Sequence, residues 1–417
     1  MKKYLFTLFL ALILMPPAQM FDLQAALDSA QPGQTVTIPP GAYHGTFASN
    51  GVGVSVEAHG ATIVGQLTIN GSDQVWNGIT VADEWATRNV TQTVTSGLTI
   101  FGPRTRIEDC RVHDTANGIF AWEPAVDLII DGCISWNNGY WLNGAGQGHG
   151  IYLQNDVGAK TVKNSLLLQN VSSYSIHAYG QAGRLNNLRF DHDVVTQHWL
   201  VGGGQPVRGL VIAHSMTRPG PVLDVGYGNM SNQDAWLHDN KFGALTLATG
   251  FQTITVTNNL FLNGAAVRLT RPAGASVAWN ANAYTCPSSC PVQNWLDGVK
   301  YSVPQWQAAS GYDAQGGLLQ PSSGLDYVET GAGPGLGMVV INNQRNRPSV
   351  LVDTGWLPAG NYRLVNAANP VEALTFAEGT PLAVPMTSGW SIATPHGAAA
   401  PLMTWDSKFG VFYVEPA

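Results

Sequence analysis

Charge is scarce in this sequence. Asp, Glu, Lys and Arg together make up 11% of its 417 residues, against the usual quarter of a soluble domain. No basic run occurs and the formal net charge is -7, which excludes a general nucleic-acid binder. Amphipathic stretches of about 10 or more residues at helical spacing are missing as well, which excludes the helical repeat architectures. The longest apolar run, Tyr4 to Met15, is too short to span a hydrocarbon layer of ~30 Å. It follows Lys2-Lys3 and precedes Pro-Pro-Ala-Gln-Met, so residues 1–20 read as a secretory signal. No cysteine follows that run, so a lipid anchor is not expected either. The chain is expected to be secreted or periplasmic, with no stable membrane anchor and as a monomer. Cysteine is limited to 4 residues. Cys286 and Cys290 bracket Pro-Ser-Ser and are expected to form a local staple, since a zinc site there would lack two ligands. Cys110 and Cys133 fall at equivalent places in a repeat and are expected to be stacked, buried free thiols.

Glycine, by contrast, is abundant at 47 residues, and a repeat organises it. Ile119, Ile151, Ile176, Leu200, Leu223, Leu245 and Val267 each sit in a short strand of alternating side chains, at steps of 32, 25, 24, 23, 22 and 22 residues. A second series, Cys110, Cys133, Ser165, Asp193, Ser215, Asn240 and Asn259, keeps the same rhythm. Short strands at a period of about 20 to 30 residues mean stacked coils of parallel strands. The expected fold is all-β: a right-handed parallel β-helix over residues 21–320, with residues 23–49 supplying a short capping helix and the first strand. Past residue 320 the strands become Gly/Pro-punctuated, as in GMVVINN, GNYRLVN and FGVFYVEP. Residues 321–417 are therefore expected to form a small β-sandwich-like domain, acting as a C-terminal cap or accessory module.

The phrases LQAALDSAQPGQTVTIPPGAYHGTFAS (23–49), GHGIYLQN (148–155), SIHAYG (175–180) and WQAASGYDAQG (306–316) resemble those of secreted proteins of the pectate-lyase-like β-helix superfamily. That resemblance implies the coil and a polysaccharide ligand. It does not choose a reaction, because the fold carries lyases, hydrolases, epimerases, esterases and adhesins.

Aligning the strands on their buried aliphatics gives the outward columns by the period of two. One column holds Phe120, Tyr152, His177, Val201, Asp224, Thr246 and Arg268, and the next holds Trp122, Gln154, Tyr179, Gly203 and Gly226. His177, Tyr152 and Tyr179 thereby share a patch, beside a floor expected to be bare glycine. His149, in Gly148-His149-Gly150, is within reach of the same patch. This triplet is similar to one in β-helix polygalacturonases, yet the adjacent Asp-Asp pair of those enzymes is missing. Trp122, Trp136, Tyr140 and Trp141 supply flat rings for sugar faces. Glycoside hydrolysis needs two carboxylates ~5 to 9.5 Å apart, and only Asp224 offers one on this face. Uronate elimination or C5-epimerisation fits better, with His177 as base, Tyr179 or Tyr152 as acid, and Gln154 and Asn155 against the reacting carboxylate. Arg268, four coils away at ~19 Å, could hold a neighbouring carboxylate. No cation stands close to the reacting one, and calcium could take that place. Hydrolysis, or pure polysaccharide binding, remains the alternative. In FDHDVV, Asp193 occupies a repeat position expected to satisfy turn backbone, which leaves His192 as the exception worth watching.

Overall fold

The computed structural model describes residues 21–417 apart from 172–173, 182, 229–230, 248–249, 263–266, 270–275, 286–291, 295–298, 320–325, 388–389 and 400–407. The signal expected over residues 1–20 and the Cys286–Cys290 staple lie outside the described residues. The chain is a parallel β-helix. One face is an 11-stranded parallel sheet, running from Thr35–Thr37 through Ile129–Asp131 and Leu188–Asp191 to Ser276–Asn280. A 22-stranded sheet supplies the other two faces. One of its columns carries Gly97–Ile100, Ile119–Ala121, Ile151–Leu153, Tyr174–Gly180, His198–Gly203, Val222–Tyr227 and Ala244–Leu247. The last column carries Arg111–His113, Ile134–Trp136, Leu166–Leu167, Val194–Val195 and Met216–Thr217.

Alternation explains the core. Ile107, Ile130, Val162, Ile212, Leu237 and Val256 point inward from the first face, and Ile119, Ile151, Ile176, Leu223 and Leu245 from the second; every one is at most 1% exposed. The expected helix forms at Leu23–Ser29, with the Asp22 carboxylate accepting from the Ala25 N–H at 3.0 Å. Leu23 and Leu27 cover the first coil, and Gln24 pairs both ways with the Ala48 backbone, so the open strand edge is closed. A second helix, Val303–Ser310, starts at a Ser302–Gln305 capping box and ends at Gly311 in the left-handed region. Its Trp306 packs edge-on to Trp279 at 5.5 Å and closes the last coil.

The residues between strands form a ladder. The Cys133 amide donates to Ser165 Oγ, Ser165 to Asp193 Oδ1, and Asp193 to Ser215 Oγ. It continues from Ser215 to Asn240 Oδ1, Asn240 to Asn259 Oδ1, Asn259 to Asn282 Oδ1, and Asn282 to Asp313 Oδ1. Each side chain satisfies the turn of the coil before it, which is the structural role expected of Asp193. Cys110 and Cys133 are buried free thiols in this column, donating to the carbonyls of Trp76 and Ile107. Burial pushes the Cys133 thiol up, so it is inert rather than nucleophilic.

The C-terminal strands form an antiparallel five-stranded sheet in the order Tyr327–Gly331, Gly337–Asn342, Phe409–Pro416, Asn361–Asn366, Ala373–Ala377. This unit lies along the side of the coil, not over its end. Ile134, Trp136, Leu166, Leu168, Val194 and Met216 of the last column form one core with Met338, Val340, Phe412 and Val414. Of the two roles expected of the C-terminal unit, cap or accessory module, closing the end of the coil falls to the helix Val303–Ser310.

Candidate active site

Ile119, Ile151 and Ile176 stand in register, so Phe120, Tyr152 and His177 form one outward column. Then the ladder slips. A register shift falls between Tyr174 and Ile176, and the next strand pairs Ile176 with Trp199 and His177 with Leu200. Trp199 takes the inward place, packed edge-on to Phe190 at 4.9 Å. Leu200 therefore faces outward and Val201, expected in the column, faces the core. A second shift between Val201 and Gly202 brings Tyr227 opposite Gly202, which itself pairs with Tyr179. The expected glycine floor is thus replaced by Leu200 and Tyr227. Gly203 has a different use: a Cβ there would come within 2.9 Å of the Tyr179 ring, so its smallness seats that ring.

These slips open a cavity of about 340 Å³ lined by Tyr174, His177, Tyr179, His198, Leu200, Asp224 and Tyr227. His177 is stacked between Tyr174, at 4.5 Å and 8°, and Tyr179, at 4.8 Å and 28°. Its Nδ1 lies 2.9 Å from His149 Nε2, which leaves Nε2 as the ring atom available to the cavity. His149 Nδ1 is buried without a partner. Burial, reinforced by His198, lowers the His177 pKa to about 4, and burial beside His177 lowers that of His149 to about 3. At neutral pH the two imidazoles are therefore a neutral pair sharing one proton. With the bridging proton on His177 Nδ1, Nε2 is a bare acceptor. Once Nε2 has taken a proton, the bridging one can pass to His149 Nε2, leaving His177 neutral with a donor at Nε2 and the charge on His149. One pair of rings can thus serve as base and as acid. Across the cavity, His198 Nε2 lies 2.6 Å from Asp224 Oδ2, and its ring sits 4.8 Å from that of Tyr174.

The structure brings His149, Tyr152, His177, Tyr179 and Asp224 together, with differences of role. Tyr152 is 6% exposed. Its hydroxyl donates to the Tyr179 carbonyl at 3.2 Å and accepts from Gln154 Nε2, and burial raises its pKa. It supports the patch from beneath and is not placed to donate to a ligand. Gln154 and Asn155 are 3% and 0% exposed, because the strand Ile151–Leu153 has ended and the alternation no longer applies. Gln154 bonds Tyr152 and the Tyr179 carbonyl, and Asn155 bonds the carbonyls of Gly158 and Asn186, so neither faces a substrate. Asp224 is tied to His198 and is not a free sugar-binding group. Trp136 and Tyr140, expected as groove walls, are 4% and 3% exposed. Trp136 stacks on His113 at 4.2 Å beneath the C-terminal sheet, and Tyr140 on Trp85 at 5.8 Å. Trp122 and Trp141 are half-exposed, and Trp122 sits against the rings of Phe120 and Tyr152. The Arg268 backbone continues the column opposite Thr246, while its side chain lies outside the described residues.

Tyr174, His198, Leu200 and Tyr227 were not anticipated. The signal was present in TQHWLVGGG: an aromatic between a polar residue and aliphatics can take the inward place and turn His198 outward. Lys160, buried beneath the site, donates to the carbonyls of Trp122 and Gln154, and burial lowers its pKa to about 7. Calcium fits this cavity poorly. It takes 6–8 oxygen ligands, and among the described residues the single carboxylate in the lining is Asp224, already bound to His198.

Fold and site together define a class: a parallel β-helix with an imidazole–tyrosine cavity on its outer face. No protein-family model matches the chain, and no curated protein matches it. Among solved structures it is similar to a mannuronic acid specific polysaccharide family 6 lyase enzyme from human gut microbiota. The identity is 14%, the match covers 70% of this chain and 87% of that one, and the TM-score is 0.34. The fold assignment stands on the strand pairing itself.

Proposed function

We propose that this chain is an exported polysaccharide-active enzyme that removes the C5 proton of a uronate residue, acting as a lyase or a C5-epimerase. The observation that carries the reading is the His177–His149 pair at the wall of the cavity. His177 Nε2 takes the C5 proton. Its depressed pKa keeps it unprotonated before substrate arrives, and a substrate carboxylate entering the cavity raises its basicity. In elimination, the electron pair released at C5 expels the C4 oxygen, which takes a proton from the Tyr179 hydroxyl. Across the cavity His198, its Nε2 held by Asp224, is the ring placed to meet the substrate carboxylate. Trp122 offers a half-exposed ring beside the cavity for a neighbouring sugar. Hydrolysis is disfavoured because the lining offers one carboxylate, not a pair.

The test is to incubate the purified chain with a panel of uronate polysaccharides and follow both the ultraviolet absorbance of unsaturated ends and exchange of the C5 proton with deuterated solvent. Either signal, lost in His177→Ala, is the expected result. Chain shortening with neither signal would make the protein a hydrolase, and an unchanged polymer that still binds would make it a lectin-like module.

A further inference from the structure

Away from the cavity, at the C-terminal ends of three neighbouring strands of the 11-stranded sheet, successive coils place histidine at nearly the same spot. We infer that Asp191, His192, His214, His238 and Asp239 provide a site for one divalent cation of the zinc class, held by one of two overlapping three-residue sets that share His214. His192 Nδ1 and His214 Nδ1 converge on the same oxygen, Asp191 Oδ1, at 2.9 and 2.8 Å. His238 Nδ1 lies 2.8 Å from Asp239 Oδ2. The rings of His192 and His214 are stacked at 4.5 Å and 18°, and that of His238 stands across His214 at 5.6 Å. Asp191, His192 and His214 make one set whose ligand atoms all lie within 4.8 Å of one another, and His214, His238 and Asp239 make another. His214 belongs to both, so whichever set holds the ion, His214 is one of its ligands.

The donor set chooses the metal. Imidazole nitrogens with a single carboxylate suit Zn²⁺, and also Ni²⁺ or Cu²⁺, whereas calcium demands an oxygen cage. A tetrahedral zinc at its usual bond lengths holds ligand atoms about 3.3 Å apart, so small ring rotations convert the present contacts into coordination. Either set gives three protein ligands and leaves a fourth position for water. The plainer account is that His192 and His214 only turn the chain: both have φ in the left-handed region, at 57° and 48°. Other coils make that turn with Asn164, Asp239 or Asn258, residues that adopt it as easily. The turn alone therefore does not require imidazole in two consecutive coils over one shared carboxylate.

His214→Asn separates the two accounts, since it keeps a left-handed turn former and removes the ligand common to both sets. Tag-free protein is titrated with ZnCl₂ by calorimetry in buffer containing excess CaCl₂, with thermal melts alongside. Expected is a single equivalent of Zn²⁺ and a raised Tm in wild type. Affinity should fall on the order of a hundredfold in His214→Asn, whose metal-free Tm stays near that of wild type. His177→Ala, at the cavity, should bind Zn²⁺ as wild type does. Absence of Zn²⁺ binding, unchanged binding in His214→Asn, or loss in His177→Ala would each overturn the inference.

Discussion

Replacing Asp193 with asparagine should stabilise this protein, and by more at alkaline than at acidic pH. Asp193 is wholly buried in the interior ladder, where Oδ1 accepts the Ser165 amide at 3.0 Å and Oδ2 has no partner. Burial pushes its carboxyl well above the ordinary carboxylate range. The stability that a neutral buried carboxyl provides is full below the unfolded-state pKa. It is lost as pH rises through the folded-state value, because the unfolded chain ionises first. Asparagine carries no such dependence. It also brings a donor. Asn240, Asn259 and Asn282 each send Nδ2 to the carbonyl three residues before the preceding rung, at Ile212, Leu237 and Val256, over 2.8, 2.9 and 3.0 Å. The same rule aims an asparagine at position 193 toward the Val162 carbonyl. One added buried hydrogen bond is worth about 1 kcal/mol. The ionisation difference adds at most about 1.4 kcal/mol for each pH unit between the unfolded and folded pKa values. Thermal and urea melts of both proteins at pH 5 and pH 8 would read this. A Tm increase of about 2 to 4 °C per kcal/mol is the scale to look for. An asparagine variant that melts lower at both pH values, or a gap that does not widen with pH, would refute the ladder argument.

Two further outcomes follow from contacts already described. His149→Asn, which keeps a polar partner for His177 but cannot exchange tautomers with it, should lower kcat about a hundredfold with KM little changed; steady-state kinetics check this, and wild-type kcat in His149→Phe would reduce His149 to a space filler. Trp136→Ala should remove about 3–5 kcal/mol from the core shared by coil and C-terminal sheet, giving a lower Tm and earlier proteolytic release of residues 326–417, whereas unchanged digestion would mean the lateral interface does not depend on this ring.

The coil was legible because its signal is repeated. Seven aliphatic positions at steps of 22 to 32 residues overdetermine a parallel stack, and the polar rungs between them mark each turn independently. The site was legible where the repeat is regular. From Ile119 through Ile176 the sequence alignment and the backbone register coincide, so Tyr152, His177 and His149 were placed together correctly. Beyond Ile176 an alignment keyed to Ile, Leu and Val has no means of putting Trp199 in the core, so in that strand the outward residue was read one position late, at Val201 instead of Leu200. Leu223 and Asp224, and then Leu245 and Thr246, return to the expected alternation. Trp136 and Tyr140 misled for the opposite reason. Aromatic residues in a glycine-rich stretch read as a ligand wall, but Trp136 belongs to a regular strand whose outer face the C-terminal sheet covers. Nothing in a local pattern announces a partner face contributed by residues some 200 positions later in the chain.

The two irregularities also account for where the cavity is. In the two coils just before it, Ile119–Ala121 and Ile151–Leu153, the strands are short, and stacking neighbours in strict register fills the outer face with touching side chains such as Phe120 on Tyr152 at 4.9 Å. Between Tyr174 and Tyr227 the strands lengthen to 7, 6 and 6 residues, and the two register shifts fall in their pairing. Each shift re-aims side chains, as bulges do beside binding sites. The first turns Tyr174 and His198 onto the same face as His177, and the second sets Tyr227 opposite Gly202 and leaves room above Leu200. A coil with perfect register would present parallel ladders and no hollow. The sequence gains its site by breaking its own repeat at two neighbouring points, and the glycines at 202 and 203 permit the backbone to do so.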